Sequence, residues 1–191
     1  MRVTKEVAAQ NRKRILDTAT KLFKTRGFDN VSVADVTKAA GFTHGGFYNH
    51  FESKADLATE TIRHAFEQAL GEVSREDATE TIDLMPIAER LAHYLSIEHR
   101  DEPDGGCPTS SLPVDVSRQS VDAQRTFAEG LERYLKLIES VFAPSADRRR
   151  EMAITTLSTL VGAIILSRSV RDGDPGLSDA ILKASRVNLQ D

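Results

Sequence analysis

Apolar residues recur at helical spacing along most of this 191-residue chain. Ile15, Ala19 and Leu22 form one stripe on the first predicted helix, with Phe23 beside it. Gly27 follows that stripe, as glycine does just past the C-terminus of a helix. Because no β-hairpin signal, internal repeat or low-complexity segment interrupts the pattern, the sequence predicts an all-α protein.

Three further helices are predicted from residue 32 onward, the last of which fades in the polar stretch SREDATET, residues 74–81. Ser32 can cap a short second helix, which Gly41 ends. Thr43 can cap a third helix running to about Phe51, and Ser53 can cap a fourth. The chain therefore begins with a long helix followed by two short ones.

The second half of the chain is also predicted to be helical. One helix begins near Pro86, and a short one is expected from about Thr109 to Ser117. Longer helices are predicted over 127–142 and 146–171, and a last one over 177–188. The segment RDEPDGGCPTSSLP, residues 100–113, rich in Pro, Gly and acidic residues, is predicted to be a loop.

Charge is unevenly distributed, although the chain as a whole carries a net charge of −4. Residues 1–56 hold ten Lys/Arg against six Asp/Glu, a net charge of +4, and the remainder carries −8. A basic segment on an acidic body is typical of a module that binds a polyanion. Cys107 is the single cysteine, which excludes an intrachain disulfide. No signal-peptide pattern and no stretch of 18 uncharged apolar residues is present, so we expect a cytoplasmic protein.

Residues 41–57 combine adjacent glycines with aromatic residues. Phe47 and Phe51 lie four positions apart and share one helix face, which can pack on the core. Gly45 and Gly46 lie on the opposite face, where each costs the helix roughly 1 kcal/mol relative to alanine. Close approach of the helix backbone to a DNA duplex would explain that cost. Two short helices joined by a tight turn are a helix-turn-helix candidate, whose second helix enters the major groove.

The segment SVADVTKAAGFTHGGFYNHFESKADL, residues 32–57, closely resembles the DNA-binding motif of TetR-family transcriptional regulators. The family pattern G-x-[ST]-x-G-x-x-Y-x-H-F-x-x-K-x-x-L is matched at Gly41, Thr43, Gly45, Tyr48, His50, Phe51, Lys54 and Leu57. Ala55 stands where the family often has an acid. The resemblance covers about the first third of the chain and is highly specific.

This resemblance implies a three-helix DNA-binding domain at 1–52 and a helical ligand-binding and dimerisation domain at 53–191. It implies a homodimeric repressor that binds a roughly palindromic double-stranded DNA operator and is released by a small hydrophobic or electrophilic effector. Thr43, Tyr48 and His50 would contact phosphates, and Asn49 is the best candidate to read a base. The whole predicted DNA-binding set is Ser32, Thr43, His44, Gly45, Gly46, Tyr48, Asn49, His50 and Lys54.

The effector and dimer sites are predicted less specifically. Regulator pockets lie between bundle helices and are mostly apolar. The candidate ligand-binding residues are Met85, Leu91, Tyr94, Cys107, Leu112, Phe127, Leu131 and Tyr134. The helix at 146–171 is apolar nearly all round, which suggests that it and the last helix form a four-helix interface with a second copy. The candidate interface residues are Leu157, Val161, Gly162, Ile164, Ile165 and Ile181.

Other functions remain open from the residues alone. Cys107 could be a nucleophile with His93 or His99 as base, although no nucleophile elbow, P-loop or dinucleotide fingerprint is present. A helical protein that binds small molecules without DNA is a further alternative. The scattered histidines lack zinc-ligand spacing, so we expect no metal and no cofactor. Cys107 itself could be either a sensor of electrophiles or a buried packing residue.

Overall fold

A computed structural model describes residues 4–76, 93–140, 142 and 147–187, and every regular element within these ranges is a helix. The fold is all-α, as predicted. The helices are α1 (Lys5–Arg26), α2 (Val33–Ala40), α3 (His44–Phe47), α4 (Lys54–Glu76), α5 (Ile97–Asp101), α6 (Pro108–Ser111), α7 (Pro113–Val116), α8 (Val121–Glu139), α9 (Arg149–Val170) and α10 (Pro175–Val187).

The ends of α1 and α2 follow the local sequence signals. Gly27 and Gly41 close these helices with φ of 78° and 76°, a left-handed conformation that glycine adopts without strain. Ser32 and Asp35 form a reciprocal capping box at the start of α2. The predicted C-terminal end of α1 and both predicted ends of α2 are therefore confirmed.

Helix α3 is shorter than the sequence prediction. The regular helix ends at Phe47, whereas the prediction carried it to about Phe51. The amide of His50 donates to the Phe47 carbonyl, an i to i−3 bond that tightens the last turn. Two glycines in a helix this short lower its propensity, so only its first turn is regular.

The segment from Thr109 to Ser117 is two short helices rather than one. Pro113 has no amide hydrogen and occupies the first position of α7, so the chain breaks between α6 and α7 at Leu112. Helices α9 and α10 lie close to their predicted ranges. The predicted helix start near Pro86 lies outside the described residues.

The largest apolar cluster joins the N-terminal helices to the rest of the molecule. Phe23 of α1, Val36 of α2 and Phe47 of α3 are all buried in it. Leu112 and Val116, at the two ends of α7, belong to the same cluster. Two further clusters lie where α9 packs against α8 and α10. The helix-turn-helix unit is thus continuous with the core of the larger body.

Helices α4 and α8 approach closely at Gly130. A Cβ atom at that position would lie 2.2 Å from the ring of Phe66, so only glycine fits without a shift. Phe66 also packs edge-on against Phe127, with ring centroids 5.2 Å apart. This contact fixes the spacing of α4 and α8.

Helix α9 is long and apolar enough, by length and composition, to cross a membrane. A core helix of a soluble protein passes the same test, and the buried residues Ala153, Leu160 and Ile164 of α9 face the interior of the chain. About 33% of this apolar segment is buried inside the chain, so packing within the bundle accounts for only part of its composition.

Candidate nucleic-acid interface and ligand cavity

One face of α3 is buried and the other is open to solvent. Phe47 is fully buried, with its ring centroid 5.4 Å from that of Phe51. Tyr48, by contrast, is 56% exposed, which is unusual for a large aromatic side chain. The residues of the predicted DNA-binding set are exposed or partly exposed: Ser32, Thr43, His44, Gly45, Gly46, Tyr48, Asn49, His50 and Lys54.

Neither glycine of α3 is required by packing inside the chain. No atom lies within 4 Å of the place a Cβ on Gly45 would occupy. A Cβ on Gly46 would meet only Thr43 Oγ1, at 3.4 Å. Intrachain sterics therefore do not explain why the exposed face of α3 lacks side chains at these two positions.

Two arginines of α1 contact residues of the helix-turn-helix unit and of the adjoining helix α4. Arg14 donates to the Ala40 carbonyl at 3.0 Å and lies over the ring of Phe42. Arg12 pairs with Glu60 of α4 at 2.8 Å and lies over the ring of Phe51. Sequence reasoning counted both arginines only as positive charge. No local spacing signalled a positioning role, because their partners are set by the tertiary fold.

Short polar caps fix the turns on either side of α3. Thr43 Oγ1 accepts from the Gly46 amide at 3.2 Å, as the sequence predicted for a cap. At the start of α4, Ser53 Oγ accepts from the Asp56 amide at 3.0 Å, and the Asp56 carboxylate accepts from the Glu52 amide. In the α2 box, the hydrogen bonds from Ser32 lower the pKa of Asp35 below its ordinary value. These caps set the angle at which α3 is presented.

A cavity of about 200 Å³ lies between α8, α9 and the α6–α7 segment. Its described lining is apolar except for two hydroxyl groups. The lining residues are Thr109, Pro113, Phe127, Leu131, Leu135, Ile154, Leu157, Ser158 and Val161. Phe127 and Leu131 come from the predicted ligand-binding set.

The other predicted ligand-binding residues are distributed around the cavity or away from it. Leu112 is fully buried in the main core cluster, and Tyr134 packs on Phe66 with ring centroids 5.7 Å apart. Neither belongs to the described lining. Met85 and Leu91 lie outside the described residues.

Cys107 and Tyr94 meet at Thr109, at one end of the cavity. The Thr109 hydroxyl lies 2.9 Å from Cys107 Sγ and 3.4 Å from the Tyr94 hydroxyl. Burial, with the adjacent Cys107 thiol, raises the pKa of Tyr94 above its ordinary value. The phenol therefore stays protonated at neutral pH.

His99 connects the Tyr94 backbone to the Cys107 backbone. Its Nδ1 lies 2.6 Å from the Tyr94 carbonyl oxygen, which can only accept, so Nδ1 carries the proton. Its Nε2 then accepts from the Cys107 amide at 3.3 Å. Burial lowers the pKa of His99, which favours this neutral form. His99 thus bonds the Cys107 backbone, while the thiol is hydrogen-bonded to Thr109.

Two basic residues that sequence reasoning did not single out bind backbone carbonyls around this cluster. Arg168 of α9 donates to the carbonyls of His99 and Arg100, at 2.7 and 2.8 Å, and to that of Ser110 at 3.1 Å. Lys24 of α1 donates to the Gly106 carbonyl at 2.6 Å. Arg168 could have been noticed as a lone charge in the apolar run of α9, whereas nothing in the sequence pairs Lys24 with residue 106.

The predicted dimer residues divide into two groups. Leu157 and Ile164 are buried inside the chain's own core, 5% and 0% exposed. Val161, Gly162, Ile165 and Ile181 are partly exposed. Large apolar side chains that the prediction did not include lie on α9 and α10 with substantial exposure: Met152, Ile154, Leu166 and Leu177.

Among the described residues, no group of three or more His, Cys, Asp or Glu is placed to hold a metal ion.

Comparison with known proteins places this geometry among bacterial regulators. A family model described as "Bacterial regulatory proteins, tetR family" matches residues 15–61. The HTH-type transcriptional repressor DhaR of Mycobacterium sp. (strain GP1) is 25% identical over 174 residues, which is 86% of this chain and 85% of that protein. The HTH-type transcriptional regulator AcrR of Shigella flexneri is 41% identical over 75 residues, 39% of this chain and 34% of that protein. The reduced form of E. coli NemR has a similar fold, with a TM-score of 0.74, 19% sequence identity and 94% coverage of each chain.

Proposed function

Because the chain is a transcriptional regulator of the TetR family, we propose that it acts as a homodimeric repressor that binds a roughly palindromic operator and leaves it when a small molecule occupies the cavity. The observation that carries the proposal is the outward face of α3, where Tyr48 is 56% exposed and Gly45 has open space above its backbone. Its relatives are regulators rather than enzymes.

Within this proposal the exposed residues of the helix-turn-helix unit have two kinds of role. Tyr48, Thr43 and Lys54 contact phosphates and position the protein on the duplex. Asn49 reads a base, since its amide can pair with adenine in the major groove. Gly45 and Gly46 let the backbone of α3 come close to the DNA.

The two parts of the chain have different roles in this proposal. Residues 1–52, with Lys54 at the start of α4, bind DNA, and residues 53–191 bind the effector and form the dimer. The site of action is the cytoplasm, where the operator is found. The segregation of charge supports this division, because +4 of net charge lies in residues 1–56.

A non-covalent effector fits the cavity better than a covalent one. Cys107 is only 9% exposed, and its thiol is hydrogen-bonded to Thr109. Reactive cysteines are usually accessible. An electrophile would have to open this packing first, so we assign Cys107 to packing. Direct thiol titration of the native protein tests the alternative, an electrophile sensor.

Operator binding can be tested with two variants and a matched control. We expect Tyr48→Ala to weaken binding to every DNA sequence, because phosphate contacts carry no sequence information. We expect Asn49→Ala to relax preference at one position per half-site by about 1–3 kcal/mol. Asn30→Ala removes an exposed asparagine of the same module that lies outside α3, and it should bind as wild type does.

The measurement is a gel shift with DNA from upstream of the coding region, followed by selection of bound sequences for each variant. If Tyr48→Ala and Asn49→Ala both bind the selected operator as tightly as wild type, α3 is not the recognition helix.

A further inference from the structure

We infer that the cavity beside α8 and α9 selects an uncharged molecule with a single ring and one hydrogen-bonding group. This inference deepens the proposed function and rests on the cavity being the effector site.

The cavity has a volume that suits about one ring. Its volume is about 200 Å³. An apolar protein cavity of about 150 Å³ is known to hold benzene. A substituted benzene or cyclohexane therefore fills this space. Ile154 and Ser158, both exposed, lie at its rim and give a route of entry from the α9 surface.

The walls of the cavity favour an apolar ring. Phe127, Leu131 and Leu135 of α8 face Leu157 and Val161 of α9 across the space. No charged side chain belongs to the described lining. Transferring a ring from water to such walls is favourable in proportion to its apolar area, whereas a buried charge without a partner is strongly disfavoured.

One end of the cavity provides a neutral hydrogen-bonding group. Thr109 is 2% exposed to solvent and is the buried hydroxyl of the lining. It shares hydrogen bonds with the Cys107 thiol and the Tyr94 phenol, which can reorient to let the Thr109 hydroxyl donate or accept. A ligand hydroxyl or carbonyl placed at this end therefore finds a partner that carries no charge.

The nearby cation is not available to an anionic ligand. Arg168 uses its guanidinium nitrogens on the carbonyls of His99, Arg100 and Ser110. A carboxylate would have to displace these bonds and leave buried carbonyl groups unpaired, which is unfavourable for each group. Discrimination against acids is thus a consequence of how Arg168 is held.

Four probes that share one ring test the class of ligand: toluene, 4-methylphenol, 4-methylbenzoate and 4-methylbenzylamine, each titrated calorimetrically into the DNA-free protein. We expect 4-methylphenol to bind more tightly than toluene, and both charged probes to bind at least about a hundredfold more weakly. Binding of either charged probe as tightly as 4-methylphenol would overturn the inference, as would the absence of binding by both neutral probes.

Two variants test where the ligand lies. Thr109→Val should weaken binding of 4-methylphenol by about five- to tenfold, the value of one hydrogen bond, and leave toluene binding within about twofold. Leu131→Trp fills the space and should weaken both by at least about tenfold. Equal losses for the two neutral probes in Thr109→Val, or unchanged binding in Leu131→Trp, would place the ligand elsewhere.

Leu131→Phe is the milder replacement if the tryptophan variant does not fold, as judged by its melting temperature. The gel shift without any probe reports on the regulator function separately. A protein that binds its operator but none of the neutral probes retains the proposed DNA-binding function and contradicts only the ligand class.

Discussion

Replacing Gly45 with alanine should change the stability of the protein and its affinity for DNA in opposite directions. The position is helical and exposed, and a Cβ added there would have no atom within 4 Å. We expect Gly45→Ala to raise the free energy of unfolding by about 0.4–1 kcal/mol, because alanine loses less backbone entropy on folding. We expect the same change to lower operator affinity, because the new methyl group lies between α3 and the duplex. Chemical denaturation and a gel shift measure the two effects.

Gly71 provides the matched control for Gly45. It is also a helical glycine with open space above its Cα, but it lies in α4, far along the chain from α3. Gly71→Ala should stabilise the protein to a similar degree and leave operator affinity unchanged. If Gly45→Ala binds the operator like wild type, the proposal of close backbone approach is wrong.

His99 makes stability sensitive to mild acid. Burial lowers its pKa below the ordinary value of 6.5, and the neighbouring basic groups Arg168, His93 and Lys24 act in the same direction. Between the folded and unfolded pKa values the unfolded chain binds more protons, so this contribution to stability is present above pH 6.5 and is lost as pH falls below it. Protonation also puts a hydrogen on Nε2, which then cannot accept from the Cys107 amide.

Melting temperatures at about pH 7.5 and about pH 5.5 test this role of His99. We expect the decrease on acidification to be smaller in His99→Gln than in wild type. His44→Gln changes an exposed histidine of α3 that is not among the groups acting on His99, and it should keep the wild-type pH dependence. Carboxylates such as Asp35 contribute the same pH dependence of stability in all three proteins. The difference between wild type and His99→Gln therefore reports on His99. Identical pH dependence in wild type and His99→Gln would contradict the assignment.

At the level of elements, the C-terminal end of α1 is docked on the turn that leads to Cys107. Lys24 donates to the Gly106 carbonyl at 2.6 Å, and a Cβ on Gly27 would lie 2.9 Å from Asp115. We expect Lys24→Met to raise hydrogen exchange of the segment 102–107 by about tenfold, because a charge-assisted hydrogen bond is lost while the apolar stem is kept. Exchange measured by mass spectrometry checks this.

Lys21→Met is the control, since Lys21 is an exposed lysine one turn earlier on α1. It should leave exchange in 102–107 unchanged. Equal exchange in Lys24→Met and wild type would mean that α1 is not held by this bond.

The helices could be predicted because their ends depend on residues close in sequence. The side-chain contacts between helices could not, because they join residues far apart in sequence. Ser32, Thr43 and Gly41 act through neighbours within a few residues, so their capping roles were readable from spacing. The early end of α3 was missed because the helix propensity of two glycines competes with the burial of Phe47 and Phe51. The Lys24 and Arg168 bonds to backbone carbonyls join residues more than 50 positions apart, and no periodicity encodes them.

At the level of the whole molecule, α9 and α10 retain an exposed apolar surface. Leu166 is 58% exposed and Leu177 48% exposed. A second copy of the chain would cover such a surface in a two-fold interface. We expect wild type to sediment at micromolar concentration as a species of twice the 21.0 kDa chain mass, and Leu166→Glu to sediment as a monomer.

Val121→Glu is the matched control for the dimer. Val121 is 68% exposed, but it lies at the start of α8 rather than on α9 or α10. It should sediment as wild type does. A wild-type monomer, or a dimer that survives Leu166→Glu, would contradict the proposed interface.

The hydrogen bonds and the ion pair made by the basic residues of α1 also affect how strongly operator binding depends on salt. Arg12, Arg14 and Lys24 belong to the ten basic residues of the first 56, and each already binds a group of the protein itself. Each phosphate neutralised on B-DNA adds about 0.9 to the logarithmic dependence of affinity on salt, through release of a bound counterion. A cation that keeps its partner in the protein releases none. The affinity for the operator should therefore depend less steeply on salt than ten phosphate contacts would make it.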